Sequence, residues 1–209
     1  MLSHALTIVM NELERHLAIF GPPGSPQVEL GNVAEGFRNG GSAGVPRDRI
    51  DLSVVNIKEE KTLKNMPNFV RNDVTLKATY ENPPVFLNFQ VLVVATHINY
   101  LNALLALSRT IRFFQFKNVL TQDSVDPASI TKNQPLNRLD RLETFKLIFE
   151  LYSPTMEEVN HLWGTLGGKQ YPFVLYIMRM LDLKFQTTDG ECSLVSEVVS
   201  NFAHKTAVR

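Results

Sequence analysis

The sequence predicts an α+β fold in which about three helices pack on a mostly antiparallel sheet that carries two long loops. Three observations lead to this class. Apolar residues recur at helical spacing in some segments, they alternate at strand spacing in others, and the two kinds of segment follow no regular β-α-β order. With 44% hydrophobic and 20% charged residues in 209, the composition is that of a folded protein with a single domain over 1–209.

The first two helices are predicted from their caps and their apolar spacing. One begins at Ser3 as N-cap, continues to Phe20 and is stopped by Gly21-Pro22-Pro23. The other follows the cap Asn99 and spans residues 100–116. The apolar positions of the first helix are Leu2, Leu6, Val9, Leu13, Leu17 and Phe20. The side chains expected to face the core from the second helix are Leu101, Leu104, Leu105, Ile111 and Phe114.

A third helix follows the capping-box pattern Thr155-x-x-Glu158 and ends at Gly167-Gly168. Its apolar stripe contains Val159, Leu162, Trp163 and Leu166. Because Trp163 lies at the centre of this stripe, we expect it to be a core residue and not an interface residue.

Four segments have the alternation or apolar content of strands. They are residues 50–57, 85–94, 145–151 and 172–185, and a short extended piece is predicted at 119–121. In the second of them Leu92 and Val94 lie on the face opposite Val91 and Val93, so the second half of this strand is expected to be buried on both sides.

Two segments are predicted to be long loops, Gly21 to Pro46 and Asn65 to Pro84. The first is rich in glycine and proline, and a short strand is possible within residues 28–33. The last stretch, 186–209, is predicted to be a C-terminal extension that is ambiguous between strand and helix.

The charge and cysteine content exclude several classes of protein. Twenty-one basic and 21 acidic residues give zero net charge, whereas proteins that bind nucleic acid or membrane surfaces usually carry a basic excess. The one cysteine, Cys192, excludes an internal disulfide and a cysteine zinc site. No run approaches the ~18 apolar residues of a membrane span and no secretory signal is visible, so we expect cytoplasmic folding.

Two motifs look like catalytic or phosphate-binding loops but lack the required context. Gly40-x-Ser42-x-Gly44 matches the nucleophile elbow of serine hydrolases, yet that motif needs a strand before it and a helix after it. Gly164 and Gly168 precede Lys169 as in a phosphate loop, but only three residues separate the glycines and Gln170 follows the lysine. A flexible loop and a helix end are the better interpretations.

The remaining polar residues form no catalytic or metal-binding constellation. Adjacent carboxylates point apart on regular structure, and arginines three residues apart are more often solvated or engaged in subunit salt bridges. No histidine pair has the spacing of a helical zinc site. We therefore predict no catalytic, cofactor-binding or metal residue. The residues considered are His4, His16, His97, His161, His204, Glu59, Glu60, Glu157, Glu158, Arg109, Arg112, Arg138 and Arg141.

Four blocks in order resemble the tail-terminator, or cap, proteins of extracellular contractile injection systems, the phage-tail-like particles of the antifeeding-prophage type. The resemblance covers about residues 1–185. The blocks are Val54-Val55-Asn56-Ile57-Lys58-Glu59-Glu60 with Leu63-Lys64-Asn65; Pro83-Pro84 with Leu87-Asn88 and Val91-Leu92; Asn99-Tyr100, Ala103-Leu104, Leu107-Ser108 and Phe113-Phe114-Gln115; and Asn160-x-Leu162-Trp163-x-x-Leu166-Gly167-x-Lys169 with Tyr171-Pro172, Tyr176 and Arg179.

The resemblance implies a structural role and no enzymatic activity. Such caps form a six-fold ring at the tube end distal to the baseplate, end polymerisation of the inner tube and anchor the last sheath layer. The implied partners are other copies of the chain, the inner tube protein and the sheath protein, without cofactor, nucleic acid or membrane span. Assembly is expected in the cytoplasm, in a particle that is later released, where at least one long loop becomes ordered.

Two other classes of function stay open at this stage. Another tube, sheath or baseplate-adjacent component would share the resemblance, but it would polymerise indefinitely or occupy another position. A serine hydrolase that uses Ser42 would be labelled by a fluorophosphonate probe.

Overall fold

A computed structural model describes residues 1–21, 27–37, 44–63, 67, 69–72, 74–80, 82–183, 190–194 and 198–199. The helices are α1 Leu2–Leu17, α2 Tyr100–Phe116, α3 Pro127–Thr131 and α4 Met156–Thr165. The strands are β1 Val28–Leu30, β2 Ile50–Glu59, β3 Phe69–Asn72, β4 Lys77–Tyr80, β5 Val85–Ala95, β6 Val119–Thr121, β7 Lys146–Tyr152, β8 Phe173–Leu183 and β9 Gly190–Ser193. Short 3-10 turns occupy residues 33–35, 61–63 and 138–140.

The chain divides into two compact units. The larger unit contains residues 1–61 and 86–183 and is built on a six-stranded sheet, with strand order β1-β2-β5-β8-β7-β6. The smaller unit contains residues 62–85 and 184–209, and its described part is a three-stranded sheet, β3-β4-β9. Strands β5 and β2 pair antiparallel, as do β6 with β7 and β7 with β8, whereas β1 and β2 are parallel. The predicted α+β class with a mostly antiparallel sheet is therefore confirmed.

Strand β8 occupies a central position in the six-stranded sheet. It is the last of the six in sequence, yet it lies between β5 and β7 and joins two halves of the sheet. Arg179 of β8 faces Ile148 of β7 in the register, and its Nε donates to Glu150 Oε2 at 2.8 Å.

Helices α1 and α2 cover one face of this sheet. Their buried side chains pack with alternate residues of β5 and with residues of β7 and β8. Phe114 of α2 lies 4.7 Å from the ring of Phe149 and 4.6 Å from that of Tyr176. Burial raises the pKa of the Tyr176 phenol to about 12. The core of this face includes Ala5, Ile8, Val9, Leu13, Leu17, Val91, Val93, Ala103, Leu107, Phe113, Phe114, Leu147, Phe149, Tyr176 and Met178.

Helix α4 covers the opposite face of the same sheet. Leu92 and Val94, which alternate with Val91 and Val93 along β5, pack there with Trp163 and Leu175. The Trp163 side chain is only 4% exposed, so the prediction that it is a core residue is confirmed. The prediction that the second half of β5 is buried on both sides is confirmed as well, since residues 91–95 are all buried.

Helix α1 also buries three polar side chains, and each finds partners within the chain. His4 Nδ1 accepts from Leu142 N at 2.9 Å, so its Nε2 carries the proton and donates to Ile130 O at 2.9 Å. Asn11 Nδ2 donates to the carbonyl oxygens of Ser129 and Lys132, both at 2.9 Å. These bonds compensate for most of the hydration lost on burial, while Asn11 Oδ1 is buried without a hydrogen-bond partner among the described residues.

Glu12 is the third of these groups. Lys117 Nζ lies 2.7 Å from one carboxylate oxygen and Asp126 N donates to the other at 3.0 Å. Burial alone would raise the pKa of Glu12, but its hydrogen bonds and the charge of Lys117 outweigh burial, and the pKa is lowered.

The described structure corrects several local predictions. Helix α1 begins one residue before Ser3 and has Met1 as N-cap, so the Ser3 hydroxyl caps nothing. It ends at Leu17, and the Phe20 side chain is exposed. Helix α3 was not predicted; Asp126 caps it and Pro127 occupies its first turn.

The predicted inward face of α2 is wrong for four of five residues. Leu101, Leu104, Leu105 and Ile111 are exposed, whereas Phe114 is buried together with Ala103, Leu107, Thr110 and Phe113. Because apolar residues surround this helix on all sides, hydrophobicity alone does not identify its buried face. The smaller side chains Ala103 and Thr110 allow closer packing against the protein.

The segment 65–84, predicted as a loop, contains the hairpin β3–β4, and β9 pairs with β4. Asn72 Oδ1 accepts from the backbone N of Val74 and Thr75, and Leu76 has a positive φ of 50°. The strands escape prediction because β3 is exposed throughout and β4 buries only Ala78, so neither strand shows an alternation of buried apolar residues. Cys192 lies in β9, and its exposed thiol is 3.7 Å from the Tyr80 hydroxyl oxygen.

In the other predicted loop, 21–46, the short strand β1 is confirmed inside residues 28–33. Glu14 of α1 holds it, because Glu14 Oε2 accepts from Gln27 N and Val28 N at 2.8 and 2.7 Å. Phe37 forms a bridge with buried Val45. Residues 22–26 and 38–43 lie outside the described part, as do 184–189, 195–197 and 200–209 of the predicted extension.

Candidate interaction surfaces

The structure describes only one of the two motifs that resemble a nucleophile elbow and a phosphate loop. Ser42 lies outside the described residues. Gly167 and Gly168 have φ values of 96° and 77°, and Gly168 N donates to Trp163 O at 2.7 Å. This is the geometry of a helix C-terminus, and it accounts for both glycines.

The described histidines lie apart from one another. His4 is the satisfied core residue, His16 packs its ring against Phe20 and Phe113, and His161 lies on the exposed side of α4. Burial lowers the pKa of His97, partly opposed by the charge of Asp48. His204 lies outside the described residues.

The carboxylate pairs have structural partners. Glu158 completes the predicted capping box with Thr155 and accepts from the Tyr152 hydroxyl at 2.7 Å. Its backbone and side-chain hydrogen bonds lower the pKa of this carboxyl. Glu60 accepts from Asn88 Nδ2 at 2.8 Å and lies 3.8 Å from Arg179.

The two arginine pairs differ in whether they have polar partners within the described chain. Arg138 binds Glu143 at 3.0 Å and Arg141 donates to two backbone carbonyls. The Arg109 guanidinium lies 4.5 Å over the Phe20 ring, and within the described part of the chain neither Arg109 nor Arg112 forms an ion pair.

A cleft of about 380 Å³ lies between residues 33–37, Arg47 and Lys169, and its lining is the place where catalytic groups would be expected. Among the described residues that line it, Glu35, Arg47 and Lys169 are the charged groups, and none is histidine, cysteine or serine. Its aliphatic hydroxyl, Thr96 Oγ1, is already bonded to Pro46 O and Arg49 O. The described lining of this cleft therefore contains no nucleophile paired with a base. Across the described residues there is no cluster of metal-ligating side chains, and no described helix is long and apolar enough to cross a membrane.

The outward side of α2 is the first candidate interaction surface. We call it the α2 face; it consists of Leu101, Leu105, Ser108, Arg112 and Phe116, which follow one another at helical spacing. Leu101 is 74% and Phe116 86% exposed. At the C-terminal end of α2 a cleft of about 310 Å³ adds His16, Phe20, Arg109 and Gln115 to Arg112 and Phe116. Large exposed apolar side chains that are contiguous are typical of protein contact sites.

The outward side of α4 is the second surface, on the opposite face of the sheet. We call it the α4 face; it consists of Glu157, Asn160, His161 and Gly164, which are all exposed. A Cβ atom on Gly164 would meet nothing within 4 Å. The fold of the single chain therefore gives no reason for a glycine inside this helix.

The three-stranded sheet is the third surface. Both outer strands, β3 and β9, pair only with β4 among the described strands. Exposed apolar side chains are frequent on this unit: Phe69, Val70, Val74, Leu76 and Tyr80. An exposed edge strand is a template for pairing with another chain.

The family model for the Pvc16 N-terminal domain matches residues 4–197. The chain belongs to this family. A search of the curated proteins finds no match to this member of the Pvc16 N-terminal domain family.

Two solved structures share the fold of this Pvc16 N-terminal domain. The PVC sheath/tube terminator of an extracellular contractile injection system, in the extended state, matches with a TM-score of 0.59 and 8% identity, over 97% of this chain and 64% of that one. The anti-feeding prophage cap, a tube-terminating cap, matches with a TM-score of 0.56 and 12% identity, over 93% of this chain and 60% of that one. The chain thus spans somewhat less than two thirds of the length of each. The resemblance to tail-terminator proteins is confirmed in family and in fold.

Proposed function

We propose that the chain is a structural cap subunit of a contractile injection particle. Six copies form a ring at the tube end distal to the baseplate, end polymerisation of the inner tube and anchor the last sheath layer. The observation that carries this proposal is the fold shared with two terminators over 93% and 97% of the chain. The partners are other copies of the chain, the tube protein and the sheath protein. Assembly takes place in the cytoplasm, and the role is not enzymatic.

The surface described above supports a subunit with several partners. A ring subunit needs separate contacts for its two neighbours, for the tube and for the sheath. The α2 face and the α4 face lie on opposite faces of one sheet, and the three-stranded sheet offers edges for β-augmentation. Zero net charge lets identical subunits approach without strong repulsion.

The experiment is to produce the particle with and without this chain and to measure tube lengths and sheath occupancy by electron microscopy. With the chain, tubes of one narrow length distribution, closed by a six-fold ring and covered by an extended sheath, are expected. Without it, tubes of uncontrolled length or tubes without anchored sheath are expected. Unchanged particles would contradict the proposal, and indefinite polymerisation of the purified chain would identify it as a tube or sheath component.

A further inference from the structure

The α2 face and the α4 face are complementary in charge. Helix α2 carries Arg109 and Arg112 and no acidic residue, whereas α4 carries Glu157 and Glu158 and no lysine or arginine. Glu158 is engaged in its capping box, but Glu157 projects from the outward side of α4. Arg112 likewise projects from the α2 face, beside Gln115 and Phe116, without an ion pair inside the described part of the chain. Opposite charges on two such surfaces favour and orient their contact.

Gly164 supplies a second, independent observation. Glycine inside a helix is less favourable than alanine, so an exposed one needs a reason that the surroundings provide. Here a Cβ would meet nothing within 4 Å of the same chain. A glycine on a helix surface lets another backbone or a bulky side chain approach closely. The α4 face is thus shaped to receive large side chains, and the α2 face presents Leu101, Leu105 and Phe116.

We propose that the α2 face of one subunit packs against the α4 face of a second copy of this chain. The inference rests on the proposed ring. The two faces belong to opposite sides of the six-stranded sheet, so each subunit offers one to each neighbour. Such head-to-tail contacts generate closed rings when the rotation between subunits closes. Contact between two α2 faces would instead bring arginines together around a two-fold axis.

Cysteine cross-linking in assembled particles tests the pairing directly. In a Cys192→Ser background, Ser108→Cys places a thiol on the α2 face and Asn160→Cys places one on the α4 face. After mild oxidation, the chain with both cysteines is expected to form a covalent ladder that stops at the number of subunits in the ring. Each single-cysteine chain is expected to stay monomeric, and a mixture of the two single variants is expected to give dimers and nothing longer.

The outcomes separate this inference from the proposed function. Dimers from Ser108→Cys alone would show two α2 faces in contact and would overturn the pairing. The pairing would also be overturned if the double-cysteine chain gave no ladder in particles that visibly carry a ring. In that case the α2 face would contact something else, for example the tube protein, while the ring and the proposed function would stand. Particles that contain this chain but no ring would overturn both.

Charge reversal gives a second readout. Arg112→Glu and Glu157→Arg are each expected to lower the fraction of chains in rings roughly tenfold at fixed concentration, and the double variant is expected to restore it. Arg138→Glu is the matched control, since Arg138 is an exposed arginine outside both faces, and it is expected to leave ring formation unchanged. Equal losses for Arg112→Glu and Arg138→Glu, or no rescue in the double variant with unchanged melting temperatures, would contradict the pairing.

Discussion

Helices α1 and α2 lie on the same face of the sheet but differ in how much apolar surface they leave exposed. Helix α1 directs its large aliphatic residues inward and buries even three polar groups, His4, Asn11 and Glu12. Helix α2 buries Ala103, Leu107, Thr110, Phe113 and Phe114, but it exposes several leucines and Phe116. Each of the three buried polar side chains of α1 forms at least one hydrogen bond within the chain, although Asn11 Oδ1 has no partner among the described residues.

This difference indicates which helix is complete within one chain. The inward residues of α1 are covered by the fold of the chain, so changes there are expected to alter stability. Helix α2 has one face in the core and one face that leaves apolar side chains exposed, so changes on that outward face are expected to alter the proposed assembly and not stability. Helix α4 combines both cases, with Trp163 inward and Gly164 outward.

The largest effect is expected for the inward face of α4. Trp163→Ala removes a buried side chain that packs with Leu92, Val94 and Leu175 and leaves a cavity. The free energy of unfolding is expected to fall by about 3–5 kcal/mol, measured by denaturant titration. The exposed His161→Ala on the same helix is the control. A variant that keeps its melting temperature but loses ring formation would make Trp163 an interface residue.

A matched leucine pair tests the comparison of α1 with α2 most directly. Leu13→Ala is expected to cost about 2–5 kcal/mol of folding stability, because Leu13 is fully buried. Leu105→Ala, at an exposed position of the α2 face, is expected to change stability by no more than about 0.5 kcal/mol while weakening assembly. Similar losses of stability in both variants would mean that the α2 face is occupied within the single chain.

The buried carboxylate of Glu12 on α1 is expected to make the stability of the protein depend on pH. At neutral pH, Glu12→Gln is expected to destabilise the protein by about 1.5–3 kcal/mol, because Glu12 accepts hydrogen bonds as a charged group. The pKa of Glu12 is lowered from its usual 4.5 in the folded protein. Its stabilisation is therefore complete above that usual value and is lost as the pH falls through the lowered one.

Unfolding titrations at several pH values check this. The difference between the natural protein and Glu12→Gln is expected to narrow below about pH 4.5. The exposed Glu143→Gln serves as control, and it is expected to show no such convergence. A difference that stays constant down to the acid limit would contradict the role assigned to the Glu12 charge.

The smallest effect is expected at Gly164. Gly164→Ala adds a methyl group in open space within a helix and is expected to stabilise the isolated chain by up to about 1 kcal/mol. In the ring the same methyl group is expected to hinder close packing, so assembly weakens as folding improves. If Gly164→Ala increased both the free energy of unfolding and the fraction of chains in rings, nothing would approach this glycine closely in the assembly.

The sequence predicts the larger unit well where local signals are strong. The Asn99 cap places the start of α2 correctly, the capping box of Thr155 and Glu158 places α4, and alternation places β2, β5 and β7. These signals are local in the chain, so one sequence suffices to detect them.

The failures have a physical reason in common. The buried face of α2 and the hairpin β3–β4 depend on partners that lie far away in sequence, such as Phe149 for Phe114 and β9 for β4. The interaction surfaces are harder still, because the isolated sequence presents Leu101 and Leu105 as core residues. Only the structure distinguishes an apolar residue that is buried within the chain from one that is exposed on its surface.

The central position of β8 has a consequence for synthesis on the ribosome. The sheet halves β1-β2-β5 and β7-β6 are joined only when β8, the last of the six strands, becomes available. Helix α1 leaves the ribosome first, yet its core partners on that strand include Met178. At roughly 5–20 residues per second, the wait between them is roughly 10–30 s. During that interval only the half-sheet β1-β2-β5 is available to cover the apolar face of α1, so the part of that face that packs on β7 and β8 stays exposed in the nascent chain.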